Sequence, residues 1–138
     1  MTDGGPGLAL IWPASGTVTR GFGYDPVMGE SHAGIDIGSL RSLDVWAAGP
    51  GVVEAVGYVS PTYDGYGNIV LVDMGDGIEA LYGHLSSVGV RVGEVVTTGD
   101  KLGLAGCTGY CTGTHLHFEL RDRGTAFDPA PLLPPTIP

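Results

Sequence analysis

From His115 to Leu120 polar and apolar side chains alternate without a break, His-Leu-His-Phe-Glu-Leu. A period of two predicts a half-buried strand over Thr114 to Arg121, with Leu116, Phe118 and Leu120 in the core and His115, His117 and Glu119 sharing the other face. Leu8 to Trp12 and Thr17 to Phe22 read as short strands split by the turn Pro13-Ala14-Ser15-Gly16. The β-branched runs Gly51 to Val56 and Asn68 to Met74 predict longer strands, and Gly75-Asp76-Gly77 predicts a hairpin turn into Ile78 to Tyr82. Between Val90 and Gly103 glycines punctuate short apolar pairs, as tight loops in small barrels do. The prolines of Asp128 to Pro135 exclude a strand interior, so this tail is expected to lie extended on the surface or to fray, as is the Gly-rich N-terminal end. The pattern predicts an all-β chain with little or no helix.

Composition sharpens this. The 138 residues suit one domain over 1–138, with a core from about 8 to 133, and 25 glycines with 15% charged residues fit short strands and tight turns. The formal net charge of -9 excludes nucleic acid as a partner, because phosphate binding needs clustered Lys and Arg. No apolar run is long enough for a membrane-spanning helix. Cys107 and Cys111 are the only cysteines. A local disulfide across this glycine-rich loop is the first expectation, and two idle thiols the alternative.

All four histidines, His32, His84, His115 and His117, fall in polar, glycine-flanked settings. On a strand, His115 and His117 would sit roughly 7 Å apart, so that one imidazole can bind a metal while the other reaches a group bound beside it. His32 and Asp36 form an H-x3-D pair in which Gly34 argues against helix, so a loop running into a short strand is expected. Two imidazoles and a carboxylate with an open fourth position make a catalytic zinc set. His84 closes a strand next to Gly83. A closed Cys2His2 site from Cys107, Cys111, His115 and His117 is the rival grouping, and it leaves His32, Asp36 and His84 unexplained.

His32-Ala33-Gly34-Ile35-Asp36, Tyr82-Gly83-His84 and Thr108 to Glu119, with its His115-Leu116-His117, resemble the lysostaphin/LytM family of zinc peptidoglycan endopeptidases. The resemblance runs from about Gly21 to Leu133, and Tyr66-Gly67-Asn68 and Asp128-Pro129 also look like family landmarks. It implies a single antiparallel β-sheet groove of barrel-sandwich type (duplicated hybrid motif), one Zn2+ held by His32, Asp36 and His117, and catalytic roles for His84 and His115. His115 is expected to handle the proton and His84 to bond the water or the developing oxyanion, with the exchange of these two roles left open. Tyr66 and Asn68 are expected to line the substrate groove. Glu119 is expected either to orient an imidazole or to be solvated. The cysteines depart from the usual Thr-Gly-x-Ser/Ala-Thr-Gly pattern.

The function so implied is hydrolysis of peptide bonds in bacterial peptidoglycan, by a monomer acting outside the membrane, in the periplasm or at the cell wall. The start of the chain has neither a basic n-region nor an apolar h-region, which suggests an excised domain or a phage-type enzyme. Two other readings remain: a non-catalytic wall-binding or hydrolase-activating domain of the same fold, and a phosphocarrier or biotinyl-type β-domain.

Overall fold

A computed structural model describes residues 8–138. The described residues form twelve strands: β1 (Thr17–Arg20), β2 (Gly23–Asp25), β3 (Glu30–His32), β4 (Ile35–Gly38), β5 (Asp44–Trp46), β6 (Gly51–Tyr58), β7 (Asn68–Gly75), β8 (Ile78–Val88), β9 (Val95–Val96), β10 (Lys101–Ala105), β11 (Leu116–Asp122) and β12 (Thr125–Phe127). Ten of them form one antiparallel sheet whose main path runs β1-β4-β11-β8-β7-β6-β9, with β10 bridging β8 to β5 and β12 beside β11, while β2 and β3 make a separate hairpin. The only regular helical turn among the described residues is a 3-10 turn at Ala130–Leu132.

The alternation in β11 explains why the site sits on this strand. Leu116, Phe118 and Leu120 are fully buried in one core with Ile35, Ile37, Tyr82, Leu85 and Leu102, and Phe118 packs its ring 5.3 Å from that of Tyr82. Burying these eight side chains, at about 1.5–3 kcal/mol each, anchors the strand rigidly. The Tyr82 hydroxyl is inside this core and accepts the backbone N–H of Ala48 at 2.9 Å, so no polar group is left unpaired there. At the β7–β8 turn, Gly75, Asp76 and Gly77 all have positive φ, as the hairpin reading requires.

Both ends differ from expectation. Leu8 to Trp12 is not a strand: the backbone N–H of Leu10 donates to Leu132 O and that of Ile11 to Ala48 O, so the segment is held by irregular contacts. The proline-rich tail is packed, not frayed. Leu133 is buried, and the Pro138 carbonyl accepts from Gly16 N at 3.1 Å, Ser15 Oγ at 2.8 Å and an Arg41 guanidinium nitrogen at 2.6 Å. Proline cannot donate, yet its carbonyl accepts freely, and composition conceals this. The expectation for the extreme N-terminal residues 1–7 lies outside the described residues.

Candidate active site

β11 lies between β4 and β8 and brings the distant motifs together. His117 is in register with Asp36 on one side and with Gly83 on the other. His32 ends β3, and the turn through Ala33 and Gly34 returns the chain into β4. That turn needs glycine, because a Cβ on Gly34 would stand 2.3 Å from the Phe118 carbonyl oxygen. His84 breaks from regular strand geometry with φ of 62°, its backbone N–H held by Tyr66 O at 2.7 Å. His115 lies one residue before β11 and forms an isolated bridge with Gly106, so the strand is shorter at this end than the alternation suggested.

The convergence is close. His32 Nε2 is 3.2 Å and His117 Nδ1 3.0 Å from the same oxygen, Asp36 Oδ1, and His115 Nε2 is 3.6 Å from it. The His84 ring lies 4.7 Å from that of His115, centroid to centroid.

The other ring nitrogens settle where the protons are. Nδ1 of His32 faces Gly21 O at 2.9 Å, Nδ1 of His84 faces Thr108 O at 2.6 Å, and Nδ1 of His115 faces Gly113 O at 2.8 Å. A carbonyl oxygen only accepts, so each of these nitrogens carries the hydrogen and each Nε2 turns its lone pair into the site. His117 is reversed: its Nε2 donates to Glu119 Oε1 at 2.8 Å, leaving Nδ1 toward Asp36.

Two lone-pair nitrogens therefore point at a carboxylate oxygen at hydrogen-bond distance, which is repulsive unless a cation or a proton stands between them. The ordinary outcome without a cation is a proton. Burial alone would lower the His117 pKa, but its bonds to Asp36 and Glu119 outweigh that and raise it. Likewise burial would raise the Asp36 carboxyl, and its bonds with His117 and His32 hold it far below the usual carboxylate range. The donor set fits zinc. Tetrahedral ligands about 2.1 Å from an ion are about 3.4 Å apart, a few tenths of an ångström beyond the two separations found here, and the three candidate ligand atoms all lie within 4.8 Å of one another.

Glu119 is not solvated. It is fully buried, and besides His117 it accepts the Tyr66 hydroxyl at 2.8 Å and the Arg121 Nε–H. Burial would raise its pKa, but the bonds from His117 and Tyr66 lower it, so it remains a carboxylate that orients the imidazole. Burial and the Glu119 charge push the Tyr66 hydroxyl up to about 12, keeping it a donor. Arg121 was not singled out from sequence, although its place two residues beyond Glu119 put it on the same face.

Cys107 and Cys111 are joined in a disulfide with Cα atoms 5.2 Å apart, so neither is a thiolate and the Cys2His2 grouping is excluded. The groove above the site has a volume of about 760 Å³. Tyr66 is among its lining residues and Asn68 is not; the Asn68 backbone N–H is bound to Thr108 Oγ1 at 3.0 Å. Arg20 does line it, unanticipated from sequence. The backbone carbonyls of Gly21, Thr108 and Gly113 were invisible in the sequence because any residue type supplies the same group.

The model of peptidase family M23 matches residues 30–129, which include all five of these histidine and aspartate positions. The chain belongs to peptidase family M23. Among M23-related proteins, cell division protein DipM of Caulobacter vibrioides is 34% identical over 131 residues, covering 91% of this chain and 21% of that protein. The DD-carboxypeptidase/endopeptidase Mpg of Neisseria meningitidis is 35% identical over 123 residues, 86% of this chain and 27% of Mpg. The murein hydrolase activator NlpD of Salmonella dublin is 32% identical over 129 residues, 94% and 32%. This M23 chain thus spans between a fifth and a third of the length of these relatives.

In structure it resembles the catalytic domain of the prophage-encoded M23 protein EnpA from Enterococcus faecalis, with a TM-score of 0.78 and 29% identity over 91% of this chain and 97% of that one. A zinc containing peptidase from Vibrio cholerae superposes with a TM-score of 0.74 and 29% identity over 95% of this chain and 40% of that one. The all-β, antiparallel architecture is therefore that of M23 peptidases, and the phosphocarrier or biotinyl-type reading is set aside.

Proposed function

We propose that this chain is a zinc-dependent endopeptidase that hydrolyses peptide bonds in bacterial peptidoglycan, with His32, Asp36 and His117 as metal ligands. The observation that carries this reading is the convergence of two imidazole lone pairs on Asp36 Oδ1, at 3.2 and 3.0 Å, in an open groove. Zinc bound there lowers the pKa of a coordinated water and polarises the scissile carbonyl. Glu119 and the Gly21 carbonyl hold the His117 and His32 rings in the ligating tautomer.

His115 acts as the general base. Its Nδ1–H is committed to the Gly113 carbonyl, so Nε2, 3.6 Å from Asp36 Oδ1, presents a lone pair to accept the proton of the attacking water. His84 is neutral at pH 7, because burial and the neighbouring imidazoles of His115 and His117 lower its pKa despite the Thr108 bond. With its hydrogen committed to Thr108, Nε2 is an acceptor and orients the water, whereas an oxyanion would need a donor there. His115 then returns the proton to the leaving amine.

The site of action in this reading is the periplasm or cell wall, and the active form a monomer. No helix among the described residues is long and apolar enough to cross a membrane. A single domain over 1–138 is part of the same proposal.

The competing reading, a hydrolase activator, is raised by the similarity to NlpD. Purified chain is incubated with isolated cell walls, with and without a chelator, and the released ends are analysed by mass. New amino termini that appear only with zinc support the peptidase; their absence from zinc-loaded protein overturns it in favour of the activator.

A further inference from the structure

Arg20 is the sole Lys or Arg among the described residues that lines the groove. Four of the five other cations are engaged elsewhere: Lys101 with Asp44, Arg121 with Glu119, Arg123 with Asp122, and Arg41 with the Pro138 carbonyl, while Arg91 lies outside the groove. The remaining lining is acidic or neutral, with Glu30, Asp36 and Asp64 carrying negative charge. Apart from an ion held by His32, Asp36 and His117, Arg20 is the one positive group the lining offers a carboxylate.

A built irregularity puts Arg20 there. β1 pairs with β4 as Val18 with Ile37 and then Arg20 with Asp36, two steps on one strand against one on the other. Without that bulge Thr19 would stand opposite Asp36; with it, Arg20 takes the place directly across from the metal-ligating aspartate, about 5 Å away in strand spacing. Residues directly opposite in an antiparallel pair project to the same face. Arg20 is therefore adjacent to the reacting centre.

Its donors are largely unspent. One guanidinium nitrogen, Nη2, donates to Glu30 Oε1 at 3.2 Å, a single bond between side chains 30% and 57% exposed. Among the described residues Nε has no partner, although it is screened from solvent. A guanidinium offers five N–H donors in a fork that matches a carboxylate, and the Glu30 contact uses one of them. Glu30 is exposed enough to be displaced, and a reorientation onto an incoming carboxylate would satisfy both forks of the guanidinium.

We propose that Arg20 is a specificity-determining residue that binds a free carboxylate on the peptide flanking the scissile amide. The preferred substrate is then a cross-link between residues of which one retains an unamidated carboxyl group, over an uncharged glycyl bridge. This inference rests on the hydrolase reading for the identity of the reaction, but not for the binding it describes.

The test compares two synthetic cross-linked peptides that differ only in a carboxylate or carboxamide next to the scissile bond, on the zinc-loaded full chain. Expected is a KM about 10-fold lower for the carboxylate peptide with kcat little changed, since a charge-assisted pair is worth that much in binding. Arg20→Ala should raise KM for the carboxylate peptide to that of the carboxamide, and Arg20→Lys should restore part of the preference. Equal KM values in the unaltered protein, or a preference that survives Arg20→Ala, overturn the proposal. Calorimetric binding of the same pair, made uncleavable by a reduced amide, separates the two readings. A carboxylate preference in binding without turnover of either cleavable peptide sinks the hydrolase but keeps Arg20 as the carboxylate site, and turnover without preference does the reverse.

Discussion

The carbonyl oxygen of Thr108 lies 2.6 Å from Nδ1 of His84, and Thr108 directly follows Cys107 in the disulfide-closed loop. The same residue's hydroxyl donates to Leu85 O at 2.8 Å and accepts the Asn68 N–H, so the loop is tied to two strands as well as to the imidazole. Opening the disulfide should loosen the group that sets the His84 tautomer. Replacing both cysteines by alanine is expected to lower turnover about 10-fold while leaving bound zinc at one per chain, because none of the three proposed ligands lies in the loop. Metal analysis beside kinetics checks this; unchanged turnover would show that the strand contacts suffice.

The two histidines of His115-Leu116-His117 should behave differently when removed. His117→Ala is expected to abolish zinc retention, since it deletes a proposed ligand and leaves the buried Glu119 without its histidine partner. His115→Ala should retain zinc and lose at least about 100-fold in turnover. Equal metal loss in both, read by atomic absorption after dialysis, would contradict the division of roles.

Gly34→Ala tests the packing that shapes the metal site. The added methyl would meet the Phe118 carbonyl oxygen at 2.3 Å and its carbon at 3.0 Å, and neither backbone atom can retreat without moving β11. A loss of about 2–4 kcal/mol is expected, or a fall in Tm of roughly 6–15 °C, together with weaker zinc binding. Thermal unfolding with and without zinc provides the measurement.

Stability should also depend on a carboxylate remote from the groove. Glu54 is raised from its ordinary value to about 7, chiefly by its hydrogen bond with Glu79, then by burial and the charges of Glu79 and Asp73. A carboxyl raised on folding binds more protons folded than unfolded, so its contribution is fully present below about 4.5 and is lost as pH rises through about 7. Because the residue is largely exposed, solvent screens the effect, and Glu54→Gln should raise Tm at pH 8 by only about 1–3 °C with no gain at pH 4. Unfolding curves at the two pH values decide it, and an equal gain at both would point away from titration.

Periodicity and side-chain chemistry carried much of this protein in the sequence alone. Strict alternation in His115 to Leu120 can bury its leucines and phenylalanine in one way only, which dictates both the strand and the face of its imidazoles. The β-rich class and the β7–β8 turn were legible from local period and glycine placement, whereas the grouping of His32, Asp36, His84, His115 and His117 was implied by the resemblance of their motifs to the lysostaphin/LytM family. What needed the tertiary structure is every feature made by residues distant in sequence or by atoms common to all residues. The carbonyls of Gly21, Thr108 and Gly113 fix three tautomers without any side-chain signature, and Glu119 looks solvent-facing until Tyr66 and Arg121 close over it. The bulge that moves Arg20 beside Asp36, and the Pro138 carbonyl that secures the tail, are likewise set by inter-strand registry and packing, quantities that no local stretch of residues encodes.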